Sequence, residues 1–204
     1  MTGPVGSKRV HVTAFACSPR RGGNTDTLLD SAITGAEEAG ALVERFNLRE
    51  MTIAPCRHCG ACADGGGDCM IEDDMQRLYG LLRGADRIIL ASPVFFMGLT
   101  AQAKAMIDRC QPLWVMRNLG ESVACAQHER RALHIGVGGS DFEHLFDASR
   151  LVLASWYWTL QIFDRRELTF RGIDAPDAIR DHPTALDDAR AAGRALVAPG
   201  IAEK

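Results

Sequence analysis

The most constraining feature of this chain is an alternation. Short, almost uninterrupted apolar runs give way repeatedly to segments whose apolar residues recur at helical spacing. Arg87–Ser92 (RIILAS) is the clearest run, with four consecutive apolar residues between Gly84 and Pro93. Such a run suits a strand covered on both faces, in the middle of a parallel sheet. Arg9–Phe15 (RVHVTAF), Leu42–Phe46 (LVERF), Ala132–Val137 (ALHIGV) and Leu160–Phe163 supply four more expected strands. Leu28, Leu29, Ala32, Ile33 and Ala36 predict a helix that stops at Gly40. Asp73 and Gln76 form a capping-box pattern for a helix through Met75, Leu78, Leu81 and Leu82 to Gly84. Thr100 opens a helix through Ala103, Met106 and Ile107 that ends near Cys110, ahead of Pro112. Ser140 and Glu143 form a second capping box for a helix through Phe142, Leu145 and Phe146 to Trp156. Pro183 fits the first turn of a closing helix through Leu186, Ala189 and Leu196. Together these elements predict an α/β fold, a five-stranded parallel sheet with helices on both faces joined by right-handed crossovers. Residues 1–204 form one expected domain, with loose tails at about 1–8 and 198–204.

At 204 residues, 47% hydrophobic and 24% charged, the chain excludes disorder, collagen and coiled coil. A net charge of -3 lacks the basic excess of a nucleic-acid surface, so no nucleic-acid partner is expected. No apolar run approaches the 18 or so residues of a membrane span, and MTGPVGSKRVHV shows no apolar stretch followed by a cleavage site. A cytoplasmic protein without membrane attachment is the expectation. In a reducing compartment its seven cysteines need a role other than lasting disulfides.

Four of them stand in CRHCGACADGGGDC, as Cys56, Cys59, Cys62 and Cys69, a loop of about residues 54–70 between the second strand and second helix. Consecutive C-x-x-C steps can line one side of a compact loop, and Gly65, Gly66 and Gly67 let the chain return a fourth thiol to the same centre. A 4Fe-4S cluster takes four thiolates, and bacterial ferredoxin runs begin C-x-x-C-x-x-C. Structural zinc, more often held by two separated C-x-x-C knuckles, and a redox dithiol that leaves two cysteines idle remain alternatives. Cys17, Cys110 and Cys125 are expected to pack as small hydrophobes, and His58 to be a solvated loop residue.

The first expected strand ends in SPRRGGNT, at the start of a helix, where backbone N–H groups and the helix dipole favour an anion. Neither G-x-G-x-x-G nor the P-loop pattern is present. A polar turn with Asn24 or Thr25 as helix cap is the alternative. Pro93–Gly98 (PVFFMG) follows the central strand, and Gly138, Gly139 and Ser140 follow the fourth. Ligands of open α/β sheets bind at such strand ends.

Ser-Pro-Arg followed by Gly-Asn-Thr resembles the FMN-phosphate loop of the flavodoxin-like NAD(P)H-dependent FMN reductase superfamily. The cysteine run, Ile71, Asp73-Asp74-Met75, Ser92-Pro93-Val94-Phe95-Phe96, Lys104 and Asp108-Arg109 resemble its iron-sulfur flavoprotein branch, over about residues 9–110. The resemblance implies FMN and a 4Fe-4S cluster as cofactors, with NAD(P)H as a candidate electron donor. It implies phosphate contacts from Ser18, Arg20, Asn24 and Thr25. Pro93, Val94, Phe95, Phe96, Met97, Gly98, Gly138 and Gly139 would lie beside the flavin ring, and Cys56, Cys59, Cys62 and Cys69 would hold the cluster. Phe95 stands where the family often has Tyr, which removes a hydroxyl near the flavin.

The implied activity is an oxidoreductase that moves electrons between a small organic substrate and a one-electron partner resembling ferredoxin. An enzyme similar to 2-amino-4-deoxychorismate dehydrogenase is the specific candidate, with Arg21 or Arg117 expected near the flavin for an anionic substrate. An NAD(P)H-dependent FMN or quinone reductase and a non-enzymatic electron carrier or redox sensor are the alternatives. No residue declares itself a catalytic acid or base. A homodimer or homotetramer is implied, with Trp114 and Trp156-Tyr157-Trp158 placed at a subunit contact or in the core. Lys104 and Asp108 are expected to form a surface pair.

Overall fold

The structure is a computed structural model that describes residues 9–64, 67–126 and 128–198. The expected tails, apart from Ala198, and Gly65 and Gly66 lie outside the described residues. In chain order the elements are β1 (His11–Ala16), α1 (Asn24–Glu38), β2 (Leu42–Asn47), α2 (Ala61–Asp64), α3 (Met75–Gly84), β3 (Arg87–Pro93), α4 (Ala101–Asp108), α5 (Gln111–Asn118), β4 (Arg131–Val137), α6 (Asp147–Thr159), β5 (Asp164–Phe170) and α7 (Ala185–Val197). All strand pairs are parallel, in the order β2-β1-β3-β4-β5. This is the flavodoxin-like order of a doubly wound sheet, whose ligand crevice lies where β1 and β3 part at their carboxyl ends.

Alternating side chains of the central strands feed two cores. On one face Val12, Ala14, Ile89 and Ile135 pack beneath α1 and α7 through Leu28, Leu29, Ala189 and Leu196. On the other, Phe15, Ile88 and Leu90 meet α3, α4, α5 and α6 through Leu78, Met106, Leu113 and Trp156. Helices α1 and α7 approach each other closely. A Cβ on Gly35 would stand 1.9 Å from the Arg190 carbonyl oxygen, and one on Gly193 would stand 1.9 Å from that of Ala32. Among the described residues no helix is long and apolar enough to cross a membrane.

Several boundaries differ from expectation. Leu160–Phe163 is the exit of α6 rather than a strand. Gln161 is left-handed (φ 58), its N–H bonds the Trp158 carbonyl at 3.1 Å, and that of Ile162 bonds Tyr157 at 2.9 Å. This helix stop leaves Leu160 and Ile162 buried as a core plug. The fifth strand is instead DRRELTF, a sheet edge whose charges disguise it. Ser140 and Glu143 cap nothing, because α6 begins at Asp147. The preceding Leu145 and Phe146 are turned inward against Gly138 and Gly136. Pro183 precedes the N-cap residue Thr184 of α7, and the His182 ring accepts the Ala185 N–H. The helix through Met106 does end as expected, and Pro112 then opens α5.

Candidate functional site

Two cavities gather the residues singled out by sequence. The first lies at the carboxyl ends of β1, β3 and β4. A cleft there is lined by Ser18, Arg20, Asn24, Thr25, Pro93, Val94, Phe95, Gly138 and Gly139. Gly23 serves as N-cap residue of α1, and no side chain caps the helix. The first N–H groups of α1 are therefore available to an anion. The Asn24 side chain is committed elsewhere, donating to the Ala175 carbonyl at 2.9 Å and accepting the Ile179 N–H at 3.2 Å. That leaves its backbone N–H as the group it can offer a ligand. Among the lining residues Arg20 is the sole cation, and the exposed Asp174 is the sole carboxylate.

Phe96, Met97 and Gly98 do not line this cleft. Phe95 and Gly98 exchange two backbone hydrogen bonds of 3.0 Å, closing a tight turn whose central residues Phe96 (φ 47) and Met97 (φ 65) are left-handed. Ordinary side chains rarely adopt that conformation, and Phe96 projects fully into solvent. Gly138 and Gly139 have packing as well as access to explain them. A Cβ would reach Leu145 Cδ2 at 2.4 Å or Asp174 Oδ1 at 2.6 Å. Ile173 and Asp174, which complete the cleft from beyond β5, carry no sequence signal.

The second cavity is lined by all four cysteines of the run together with Ile71, Arg109, Pro112, Trp114 and Val115. Left-handed His58 (φ 50), Gly60 (φ 81) and Gly67 (φ 97) bend the loop, and the His58 N–H approaches Cys56 Sγ at 3.5 Å. Among the described residues no three metal-binding side chains stand close enough to share one ion. Burial raises the Cys62 thiol, and the neighbouring Cys69, Cys56 and Cys59 add to the effect. Burial also acts to raise Cys69, but the Ile71 N–H, the Tyr79 hydroxyl and the Arg109 guanidinium outweigh it and hold that thiol below its ordinary value.

Both stems of the loop converge on Arg109, only 1% exposed. It donates to the carbonyls of Ala54 (2.9 Å) and Ile71 (3.2 Å), and grips Asp73 with two bonds of 2.6 and 3.1 Å. Asp73 also accepts the N–H groups of Ala54 and Met75, and Gln76 donates to the carbonyls of Cys69 and Ile71. The expected capping box is thus a loop lock. Arg109 Nε remains buried without a partner. Lys104 and Asp108 form the expected surface pair at 2.7 Å.

Of the other cysteines, Cys17 and Cys110 are buried as expected, and burial pushes Cys110 up to about 12. Cys125 is exposed, because its segment runs over the surface between α5 and β4. His58 is exposed. Trp156 and Tyr157 belong to the core, while Trp158 is partly exposed beneath the Arg117 guanidinium at 4.8 Å. Arg21 pairs with Glu50 at 3.1 Å, and neither it nor Arg117 lines the cleft.

An iron-sulfur flavoprotein of Methanosarcina thermophila is 39% identical over 98 residues, 48% of this chain and 51% of that protein. One from Archaeoglobus fulgidus is 41% identical over 95 residues, 47% of this chain and 43% of that protein. These matches span about half the length of the relatives. An NAD(P)H:quinone oxidoreductase from Methanothermobacter marburgensis shares the fold at 19% identity and TM-score 0.74, covering 96% of this chain and 100% of that one. The profile of the family described as NADPH-dependent FMN reductase matches residues 10–145, two thirds of the sequence and every residue of the two cavities except Ile173 and Asp174. The chain therefore belongs to the NADPH-dependent FMN reductase family.

Proposed function

We propose that the protein is a flavin-dependent oxidoreductase with FMN in the strand-end cleft and a 4Fe-4S cluster on Cys56, Cys59, Cys62 and Cys69. It would move electrons between a small organic substrate and a one-electron partner of ferredoxin type. The observation that carries this reading is that all four thiols line one cavity whose loop is tied at both stems. Four cysteines that line one cavity without closing on one point suit a cluster, whose irons take one thiolate each, better than zinc, which draws its sulfurs to about 2.3 Å from one point. The buried Arg109 Nε, which has no partner, gives such a centre a hydrogen-bond donor.

When bound, FMN supplies exchange between two-electron and one-electron chemistry, and the cluster passes single electrons. The chain's own part is to bind, orient and shield. The N–H groups at the start of α1 and the Arg20 guanidinium would hold the phosphate, Pro93–Phe95 and Gly138–Gly139 would flank the ring, and the Arg109–Asp73 lock ties the stems of the loop that carries the four cysteines. The whole chain acts as one flavin-binding unit, assembled as a homodimer or homotetramer.

Anaerobic purification followed by iron, sulfide and flavin analysis tests the proposal. Iron and sulfide near four each with bound FMN is the expected result, and zinc without iron overturns the cluster. In the narrower form, the substrate is an acid of the 2-amino-4-deoxychorismate type. If such acids neither reduce nor perturb the bound flavin, that form fails. The family description supports a second reading, an NAD(P)H-dependent FMN or quinone reductase. Rapid bleaching of the flavin by NADPH favours it, whereas reduction by ferredoxin alone favours the first.

A further inference from the structure

A carboxylate sits where the flavin reading least expects one. Asp26 lies in the first turn of α1, 2% exposed, directly beneath the loop assigned to the phosphate. Its charge at that end of the helix would repel a bound phosphate. Two arginines offset it. Arg49 Nη1 approaches Asp26 Oδ2 at 3.0 Å, and Arg45 Nη2 approaches Oδ1 at 3.5 Å.

The pair also shapes the loop. Asp26 accepts the N–H of Gly22 at 2.9 Å, and Gly22 adopts a left-handed conformation (φ 64). Arg49 comes from the turn after β2 and donates to the Ser18 carbonyl at 3.3 Å, with the Arg20 carbonyl at 3.5 Å. Arg49 is absent from the cleft lining, so the two carbonyls it holds are drawn away from the cleft. Carbonyl oxygens are the groups an incoming phosphate must not meet. Drawing them down leaves the N–H groups at the start of α1, which no side chain caps, to face the ligand.

We propose that Asp26 and Arg49 are positioning residues that make the cleft select a phosphate monoester over its dephosphorylated counterpart, FMN over riboflavin. The inference rests on the flavin reading and adds the device that sets its ligand class. Charge and geometry predict opposite signs for Asp26→Asn. If Asp26 only repels, the substitution tightens FMN. If it positions the loop, the substitution loosens FMN and leaves riboflavin alone.

The test is calorimetric titration of the flavin-stripped full chain with FMN, riboflavin and inorganic phosphate, for wild type, Asp26→Asn and Arg49→Lys. Arg49→Lys keeps a positive charge, but its ammonium ends one bond short of Nη1, the atom that meets both the carboxylate and the carbonyls. The expected result is that both variants lose about tenfold or more in FMN and phosphate affinity, as for a lost charge-assisted contact, with riboflavin affinity unchanged. Tighter FMN binding in Asp26→Asn, equal loss of FMN and riboflavin, or no change overturns the inference. Equal wild-type affinity for FMN and riboflavin does so as well. Should Asp26→Asn not fold, Arg49→Lys alone decides. A wild-type chain that binds neither flavin overturns the flavin reading itself, which separates the two failures.

Discussion

Arg109 is the largest fully buried side chain among the described residues, and nearly all its hydrogen-bonding capacity goes to one carboxylate and two carbonyls of the cysteine loop. A charge in that position is tolerable only while Asp73 stays ionised, and removing one partner of a buried pair costs about 3–5 kcal/mol. Burial acts to raise the Asp73 carboxyl, but Arg109 and the N–H groups of Ala54 and Met75 prevail and hold it below the ordinary carboxylate range. A group lowered in this way stabilises the fold above its unfolded value near 4, and the contribution is lost as pH falls through the folded value. Asp73→Asn is therefore expected to lower the urea midpoint clearly at pH 7, with the gap to wild type closing as the pH drops below about 4. A gap independent of pH would show that the lock does not act through charge. The Asp73-to-Gln76 spacing looked like a capping box because local spacing is all a sequence displays. The true partner of Asp73 lies 36 residues away, on the far side of β3. The cysteines, by contrast, were legible because cluster ligands declare themselves by residue type and short spacing.

Helix ends show the same division. Gly40 (φ 88) closes α1 as its composition suggests, with the Ala41 N–H reaching the Ala36 carbonyl at 3.1 Å. Gln161 makes the same kind of stop for α6 without a glycine to announce it, and the buried residues around it then imitate a strand. Three buried arginines were equally silent. Arg130 donates to the Leu82, Ala85 and Leu160 carbonyls, and Arg87 and Arg131 to those of Leu196 and Ala198, closing the ends of α3, α6 and α7. Packing of α1 on α7 depends on Gly35 and Gly193, neither of which marks a turn. An alanine methyl at either site would meet a backbone oxygen at 1.9 Å, a contact that no rotamer change relieves. Gly35→Ala and Gly193→Ala should each lose about 1–3 kcal/mol or more by overpacking, although alanine is the better helix former. Denaturant melts that show either variant at or above wild-type stability would mean that the two helices separate at little cost.

Across the whole molecule the first 110 residues carry nearly everything that was legible, since strand-end loops and the cysteine run are local patterns. Beyond them Gly138 and Gly139 were legible as a strand-end loop, whereas Gln111, Pro112, Trp114 and Val115 of the cysteine cavity and Ile173 and Asp174 of the cleft were not. Sheet order and helix packing bring them in, which no spacing reveals. That topology also separates the two sites. The cleft rests on the ends of β1, β3 and β4, the cysteine cavity lies between the loop after β2 and α5, and no residue lines both. Each site is held by its own ion pair, Asp26–Arg49 for the cleft and Asp73–Arg109 for the cysteine loop. Sites built from separate walls and separate locks should fill independently. Cys59→Ser changes the most exposed of the four thiols and touches nothing in the cleft. It is expected to cut the iron and sulfide content sharply while the ratio of FMN to protein stays at the wild-type value, as read by metal analysis and flavin absorbance on the same sample. Parallel loss of flavin would mean that the two cavities are coupled through a structural element that their linings do not share.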